Sequence, residues 1–243
     1  MRAILTYHSI DSSGSPISVT PKAFRQHVEW LAVGTVRVVS VPELLALPDD
    51  VDAVAITFDD ALESVASVAA PLLAAHSIPA TVFVVTGHVG RDNRWNGVGD
   101  RGIPVQRVLD WGALGRLREQ GFHFGAHSRT HRHLTQCSDA ELADQLEGSA
   151  EDMRAATGER PVTFAYPYGA FDRRVAAAAA GSFDIACTTE FQAIRAGVER
   201  SAVPRLDAWY FTDASKLGRW GSAGFARGVK MRHLLRRIRR TFQ

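Results

Sequence analysis

The sequence predicts a single-domain α/β fold built on parallel strands, and three observations predict it. Short apolar runs alternate with helical patterns along most of the chain, which indicates strands joined by right-handed helical crossovers. The apolar runs are continuous rather than alternating with polar residues, as expected for strands covered on both faces. The chain has 243 residues, 46% hydrophobic and 22% charged, so one domain of this kind can bury a full core.

The apolar runs define seven or eight predicted strands. A parallel sheet of that size can close as a barrel or lie open as a doubly wound sheet. In chain order the predicted strands are residues 3–7, 36–40, 53–58, 80–85, 122–126, 162–166, 184–188 and, as an optional eighth, 203–206.

Helical patterns fill the segments between these runs. Thr20 followed by Pro21 is typical of a helix start, and Ser138 with Glu141 three residues later predicts a capping box. Gly121 is a natural residue for the end of a helix. The predicted helices cover residues 21–32, 61–76, 110–120, 138–157 and 171–180.

One long loop, residues 87–109, interrupts this alternation and is rich in Gly, Asn, Asp and Arg. Long loops in compact domains often carry function. Trp95 and the polar groups around it suit a rim that touches a sugar, because sugar rings present C–H faces to aromatic rings. The alternative is a surface excursion anchored by one tryptophan.

The two cysteines, Cys137 and Cys187, lie far apart in the sequence and indicate neither a disulfide framework nor a Cys-rich zinc site. We expect both to be small buried apolar side chains. The N-terminus lacks the pattern of a secretory signal, and no apolar run is long enough to cross a bilayer. The sequence therefore predicts a cytoplasmic protein.

A basic tail, residues 213–243, follows a mildly acidic body, residues 1–212. Residues 214–243 contain nine Lys or Arg and no Asp or Glu. Apolar residues recur at helical spacing between the arginines, a pattern that can lie on an anionic membrane surface. A solvated basic tail is the alternative, and nucleic-acid binding is not expected because the basic residues are confined to this segment. The apolar residues are Met231, Leu234, Leu235, Ile238 and Phe242.

Two adjacent carboxylates, Asp59 and Asp60, follow the predicted strand 53–58 directly. Active sites of parallel α/β folds lie at the carboxyl ends of the strands. Neighbouring carboxylates repel each other, and a protein tolerates them best beside a cation or in solvent. Because Asp59 and Asp60 emerge directly from a buried strand, a cation beside them is favoured over exposure to solvent.

Two histidines four residues apart, His127 and His131, follow the predicted strand 122–126. Residues at this spacing share a face of a helical turn and can hold one metal ion. His123 and His133 lie in the same stretch; His133 competes with His131 as a ligand, and either one could be an ordinary packed or surface histidine.

A sharp turn, Tyr166-Pro167-Tyr168-Gly169, follows the predicted strand 162–166. All three segments are therefore expected at the same end of the sheet. One carboxylate with two imidazoles makes a three-ligand, open metal site of the catalytic kind. The other carboxylate is left as a base that can take a proton from water.

The segments TFDD, HSxxH and YPYG, in this order, resemble the polysaccharide deacetylases, the NodB-homology or carbohydrate esterase family 4 fold, over residues 1–210. The resemblance implies a distorted (β/α)7–8 barrel that hydrolyses an N-acetyl, sometimes O-acetyl, group on a saccharide. It implies Asp59 as general base, and Asp60, His127 and His131 as ligands of a divalent metal, usually Zn²⁺, with Co²⁺ or Ni²⁺ possible. Tyr168 would supply a backbone N–H to the developing oxyanion.

The sequence departs from the family pattern at two places. Many members carry an arginine before the Pro-Tyr-Gly turn that orients the base; here Arg205 is the candidate replacement. Many also have a catalytic histidine near the C-terminus, but His233 lies in the basic tail and is not expected to be catalytic. Tyr7-His8 resembles the opening of the poly-N-acetylglucosamine deacetylase branch, and His8 is therefore assigned as general acid. The alternative is a histidine that caps a strand.

The sequence thus predicts a metal-dependent hydrolase that removes acetate from an N-acetylated saccharide, with a lipid-linked or nucleotide-linked glycan precursor as a candidate substrate. The expected location is the cytoplasm, with peripheral contact at the inner membrane face. Two alternatives stay open: a saccharide-binding protein with a degenerate site, and a deacylase or deformylase of a small metabolite. Acetate release and metal content distinguish them.

Overall fold

A curled, parallel sheet forms the centre of the fold. The computed structural model describes residues 1–241. The sheet has eight strands, and seven of them lie in the order β10-β1-β5-β6-β7-β8-β9, with β4 paired to β5. They are β1 (Arg2–Tyr7), β4 (Arg37–Val38), β5 (Ala53–Phe58), β6 (Thr81–Val84), β7 (His123–Ala126), β8 (Thr163–Ala165), β9 (Ile185–Cys187) and β10 (Leu206–Asp207).

The segment around Val203 joins the two edges of this sheet. Val203 donates its N–H to Ala186 O over 2.8 Å, and Thr188 donates to Val203 O over 2.8 Å. A few residues later, β10 pairs with β1 in parallel register, with Leu206 opposite Leu5. The strand order therefore closes into a distorted barrel, which confirms the predicted fold class. The optional eighth strand is real but begins later than predicted.

The helices occupy the crossovers between strands. Thr20 Oγ1 accepts from Ala23 N at the start of α1, and Ser138 with Glu141 forms the predicted capping box. The helices are α1 (Pro21–Ala32), α2 (Val41–Ala46), α3 (Ala70–Ala74), α4 (Trp111–Glu119), α5 (Asp139–Ala143), α6 (Ser149–Thr157), α7 (Arg173–Ser182) and α8 (Ala223–Thr241).

Two predicted helices are interrupted by single turns of π-helix. The predicted helix 61–76 contains such a turn at Val65–Ala69, directly before α3, and Asp144–Gly148 separates α5 from α6. Helix α2 was not predicted because its apolar period spans only six residues. Its capping box, Ser40 with Glu43, is nevertheless visible in the sequence. The short pair β2 (Ser9–Ile10) and β3 (Ser18–Val19) was also not predicted.

Apolar side chains fill both faces of the sheet. A cluster that includes Ile4, Ala55, Phe83 and Cys187 is buried with the barrel strands, and a larger cluster packs between the sheet and the helices. Cys137 and Cys187 are both free and buried, which confirms the prediction for them.

The segment after residue 212 packs onto the body and then becomes helix α8. Trp220 donates its Nε1–H to Met1 O over 3.1 Å, and Phe225 and Val229 are buried in the larger apolar cluster. The division of the chain at residue 212 stays a prediction. Phe242 of the predicted apolar pattern lies outside the described residues. The other four members are exposed on α8: Met231, Leu234, Leu235 and Ile238. Within residues 1–241, none of the helices is apolar and long enough to cross a membrane.

Candidate active site

The carboxyl ends of β1, β5, β7 and β8 converge on one pocket of about 200 Å³. Each of these strands is followed directly by a side chain of the pocket, because parallel strands present the same end to one edge of the barrel. The pocket contains six predicted site residues: His8, Asp59, Asp60, His127, His131 and Tyr168.

A two-pronged ion pair joins Asp59 to Arg205. Arg205 Nη1 donates to Asp59 Oδ1 over 2.6 Å, and Nη2 donates to Oδ2 over 2.7 Å. Arg205 Nε donates to Thr188 O over 3.0 Å, and the guanidinium lies 5.5 Å from the Phe83 ring centroid. Burial alone would raise the pKa of Asp59, but the adjacent Arg205 charge holds it well below its usual range. Asp59 is therefore an ionised, fixed carboxylate.

Asp60, His127 and His131 bring three potential ligand atoms together. Asp60 Oδ1 lies 3.5 Å from His127 Nε2 and 3.4 Å from His131 Nε2. All three ligand atoms lie within 4.8 Å of one another, and all three residues are buried. His133 is exposed and lies outside this group, so the geometry favours His131 over His133.

These three residues fit a divalent cation. Among the described residues, Asp60 Oδ1 and His131 Nδ1 are buried without a hydrogen-bond partner. A buried carboxylate oxygen without a donor is costly, and a cation would satisfy it. His127 Nδ1 contacts Ala165 O at 2.7 Å, which fixes that ring and leaves Nε2 to face the group. Burial lowers the pKa of His131 well below its usual value, so this imidazole is neutral, as a metal ligand must be.

The backbone of the site loops is strained. Six described non-glycine residues have positive φ, and only Ser77 among them lies away from the site. Such conformations cost about 1–3 kcal/mol each and cluster at functional sites. The other five place the ligand-bearing and turn residues: Asp60, Ala61, Ser128, His131 and Tyr168.

His8 lies beside Asp59 in the pocket. Its Nε2 is 3.7 Å from Asp59 Oδ2, and its side chain is 24% exposed. His8 can therefore contact both the base and a bound molecule. Asp207, at the end of β10, is a further carboxylate of this region; burial raises its pKa, and the charge of His8 opposes that effect.

Aromatic rings form the wall beside the histidines. Tyr168 is 37% exposed and its ring lies 4.5 Å from that of His131 and 4.1 Å from that of His133. Trp95 is only 7% exposed and packs 4.7 Å from the His131 ring. Trp95 therefore packs against His131, a candidate metal ligand, and also lines the pocket. It does not stand free on a rim.

The long loop and helix α8 supply pocket residues that the sequence did not single out. Asn93, Asp100 and Ile103 come from the loop, and Arg236 comes from α8. The polar composition of the loop was a signal for Asn93 and Asp100, but no local pattern could place Ile103 or Arg236 there.

His123 and His233 are among the histidines that lie outside the pocket. His123 is exposed at the start of β7 and lines a cavity of about 450 Å³ at the opposite end of the barrel. His233 contacts Gln192, with 3.2 Å between His233 Nε2 and Gln192 Nε2. Neither histidine belongs to the group of candidate metal ligands.

Comparison with known protein families gives one match that covers more than half of the chain. A family model described as polysaccharide deacetylase matches residues 47–183. The matched range contains Asp59, Asp60, His127, His131 and Tyr168. His8 and Arg205 lie outside it.

Two curated relatives carry the same name, poly-beta-1,6-N-acetyl-D-glucosamine N-deacetylase. The protein from Staphylococcus aureus (strain MSSA476) is 27% identical over 168 residues, 63% of this chain and 54% of that protein. The protein from Staphylococcus epidermidis is 23% identical over 205 residues, 78% of this chain and 67% of that protein. The chain thus spans about half the length of the S. aureus relative (54%).

Two solved structures share the fold. IcaB from Ammonifex degensii superimposes with a TM-score of 0.75 at 22% identity, covering 88% of this chain and 95% of that one. The Streptococcus pyogenes deacetylase PplD gives a TM-score of 0.72 at 22% identity, covering 84% and 91%. These likenesses confirm the predicted single-domain barrel.

Proposed function

The chain belongs to the polysaccharide deacetylase family, and from that membership we propose that it hydrolyses the acetamide of an N-acetylated saccharide and releases acetate. The predicted enzyme class, a hydrolase of carbon–nitrogen bonds other than peptide bonds, is that of its named relatives. The observation that carries the proposal is the fixed Asp59 carboxylate beside the convergent Asp60, His127 and His131.

Asp59 is proposed as the general base. Its carboxylate is ionised and held by Arg205 at both oxygens, so it can accept a proton from the attacking water without rotating. Arg205 acts as a positioning residue, because it contacts Asp59 rather than the space where substrate would lie.

Asp60, His127 and His131 are proposed to hold a divalent cation, which we take to be Zn²⁺, with Co²⁺ or Ni²⁺ as alternatives. When bound, that cation would polarise the acetyl carbonyl and make the attacking water more acidic. His127 is held by Ala165 O and His131 by the packing of Trp95, so the two rings are set before the cation arrives.

His8 and Tyr168 are proposed to complete the reaction. His8 gives a proton to the nitrogen that leaves, since an amine without that proton is a poor leaving group. The positive φ of Tyr168 turns the chain at the pocket, and we assign its backbone N–H to the developing oxyanion.

The proposed substrate is a saccharide of N-acetylglucosamine type, because the named relatives act on poly-beta-1,6-N-acetyl-D-glucosamine. Tyr168, which is exposed at the pocket, offers apolar ring surface for the C–H faces of the sugar. A lipid-linked or nucleotide-linked precursor belongs to this proposal as a candidate, as does cytoplasmic location.

Acetate release tests this function. The purified chain, loaded with one equivalent of Zn²⁺, is incubated with β-1,6-linked and β-1,4-linked N-acetylglucosamine oligomers and with N-formyl and N-acetyl monosaccharides. Acetate release from an oligomer, lost on chelation and regained on adding Zn²⁺, supports the proposal. Binding of the oligomers without any release supports the saccharide-binding alternative. Turnover confined to monosaccharides supports the small-metabolite deacylase.

We also propose that α8 contacts an anionic membrane surface. Met231, Leu234, Leu235 and Ile238 form an exposed apolar stripe on a helix whose charged residues are all basic. Co-sedimentation with vesicles of anionic lipid tests it. Leu234→Gln with Leu235→Gln should weaken binding at least about threefold. Val33→Gln, at another exposed apolar residue, is the matched control. Equal binding of all three proteins would remove this proposal.

A further inference from the structure

Arg236 brings a guanidinium from helix α8 to the wall of the candidate active-site pocket. It lines the same pocket as His8, Asp59 and Asp60, and its side chain is 24% exposed. It is distinct from Arg205, whose two terminal nitrogens are both engaged with Asp59. The pocket wall therefore contains a second arginine that the acetamide chemistry proposed above does not use.

Several contacts hold the Arg236 side chain in place. Its Nη2 donates to Thr189 O over 3.3 Å. The guanidinium lies 5.6 Å from the Tyr210 ring centroid and 5.8 Å from that of Phe191. The ring contacts and the hydrogen bond to the Thr189 carbonyl limit the rotamers of Arg236. Little side-chain entropy therefore remains to be lost when it binds a ligand.

No carboxylate among the described residues forms a close ion pair with Arg236, although Asp59, Asp60 and Asp100 line the same pocket. Asp207 Oδ2 is 4.0 Å from Arg236 Nη1, beyond hydrogen-bond distance, and it is the one carboxylate among the described residues that pairs with Arg236. Helix α8 contributes no acidic residue of its own. A guanidinium fixed in this manner suits two-pronged binding of phosphate oxygens.

We propose that Arg236 is a specificity-determining residue that binds the phosphate of a glycosyl phosphate, placing the acetamide of the same sugar at Asp59 and His8. This inference rests on the proposed function, and it deepens it by naming the substrate class. A nucleotide-linked sugar and a lipid-linked sugar share this phosphate. Arg236 would recognise it in either one.

The test compares phosphate-bearing and neutral ligands in binding and in turnover. Binding is measured by calorimetry in an Asp59→Asn background, in which turnover is expected to be at least about 100-fold slower. The probes are N-acetylglucosamine 1-phosphate and a neutral N-acetylglucosamine tetramer. Arg236→Gln and Arg236→Lys are compared with Arg232→Gln. Arg232 is the matched control, because it also stacks on Tyr210, at 4.2 Å, but does not line the pocket.

We expect the unsubstituted Arg236 protein to bind the phosphate-bearing probe more tightly than the neutral one. Arg236→Gln should reduce this preference at least about tenfold, since a charge-assisted bond to phosphate is lost. The preference of Arg236→Lys should lie between those of Arg236→Gln and the unsubstituted protein. Arg232→Gln should keep the preference within about twofold. With Asp59 intact, the loss should appear in KM for phosphate-bearing substrates rather than in kcat.

A preference that is absent, or that is equal with and without Arg236, would overturn the inference. Equal losses for both probes would mean that Arg236 only supports the fold. Uridine diphosphate N-acetylglucosamine and a short-chain polyprenyl diphosphate N-acetylglucosamine separate the two sources of the phosphate. If no saccharide yields acetate, the proposed function fails, but the binding preference still decides the role of Arg236.

Discussion

Arg205 donates a hydrogen bond to each carboxylate oxygen of Asp59, over 2.6 and 2.7 Å, although 146 residues separate the two in sequence. Both side chains are almost fully buried. The pair ties the end of β5 to the last strand of the barrel at the point where its edges meet. It also fixes the charge and the orientation of the proposed base.

Removing this arginine should shift the pH dependence of the enzyme. In Arg205→Gln, burial is no longer opposed by the guanidinium, so the pKa of Asp59 should rise from its depressed position. The acidic limb of the kcat/KM profile should therefore move to higher pH. Acetate release measured between pH 4 and pH 9 checks this. An unchanged acidic limb would mean that the limb does not report the ionisation of Asp59.

The same substitution should lower stability in a pH-dependent manner. The depressed pKa of Asp59 contributes stability above its unfolded value of about 3.9 and loses it as pH falls. Breaking the buried pair should cost about 3–5 kcal/mol at neutral pH, and the difference should shrink towards acid pH. Urea unfolding at several pH values measures it. A difference in the free energy of unfolding that grows as the pH falls would contradict this prediction.

Substitution of a candidate metal ligand should weaken Zn²⁺ binding far more than substitution of its neighbour His133. His127→Gln and His131→Gln should each weaken Zn²⁺ binding at least about 100-fold, because each removes one of three ligands. His133→Gln should bind Zn²⁺ within about threefold of the unchanged protein, since His133 lies outside the group. Competition with a fluorescent chelator gives the affinities. Weak binding in His133→Gln with strong binding in His131→Gln would reverse the ligand assignment.

The proposed role of His8 as general acid predicts a dependence on the leaving group. His8→Gln should slow acetate release from an N-acetyl saccharide about 100-fold or more, because the amine needs a proton to leave. Hydrolysis of p-nitrophenyl acetate, whose leaving group needs no proton, should fall much less. Zn²⁺ content should not change, since His8 is not among the ligands. Equal losses on both substrates would argue against proton donation.

The sequence reveals most of the barrel, because continuous apolar runs and helix caps are local signals. The predicted strands 53–58, 122–126 and 162–166 contain the observed strands that carry the site, and the capping box at Ser138 marks the start of α5. Two-residue strands such as β2 carry no periodicity. The π-turn at Val65–Ala69 contains no Pro or Gly itself, and Pro71 follows it inside α3, so no residue of the turn marks the break.

The site was predictable where motifs follow strands or match the family pattern, and it was not predictable where helix α8 joins the pocket. Asp59, Asp60 and His127 emerge from strand ends, so their meeting follows from parallel topology. Arg236 reaches the pocket only because α8 folds back over the barrel. Its side chain is placed by packing between elements far apart in sequence, which no local pattern encodes.

The central claim is that Asp59 is the base of a cation-assisted deacetylation whose ligands are Asp60, His127 and His131. Acetate release from an N-acetylglucosamine oligomer by the Zn²⁺-loaded Asp59→Asn protein tests it most directly. The account predicts a rate at least about 100-fold below that of the unchanged protein, with equal Zn²⁺ content. A rate within about twofold of the unchanged protein, at equal Zn²⁺ content, would contradict it.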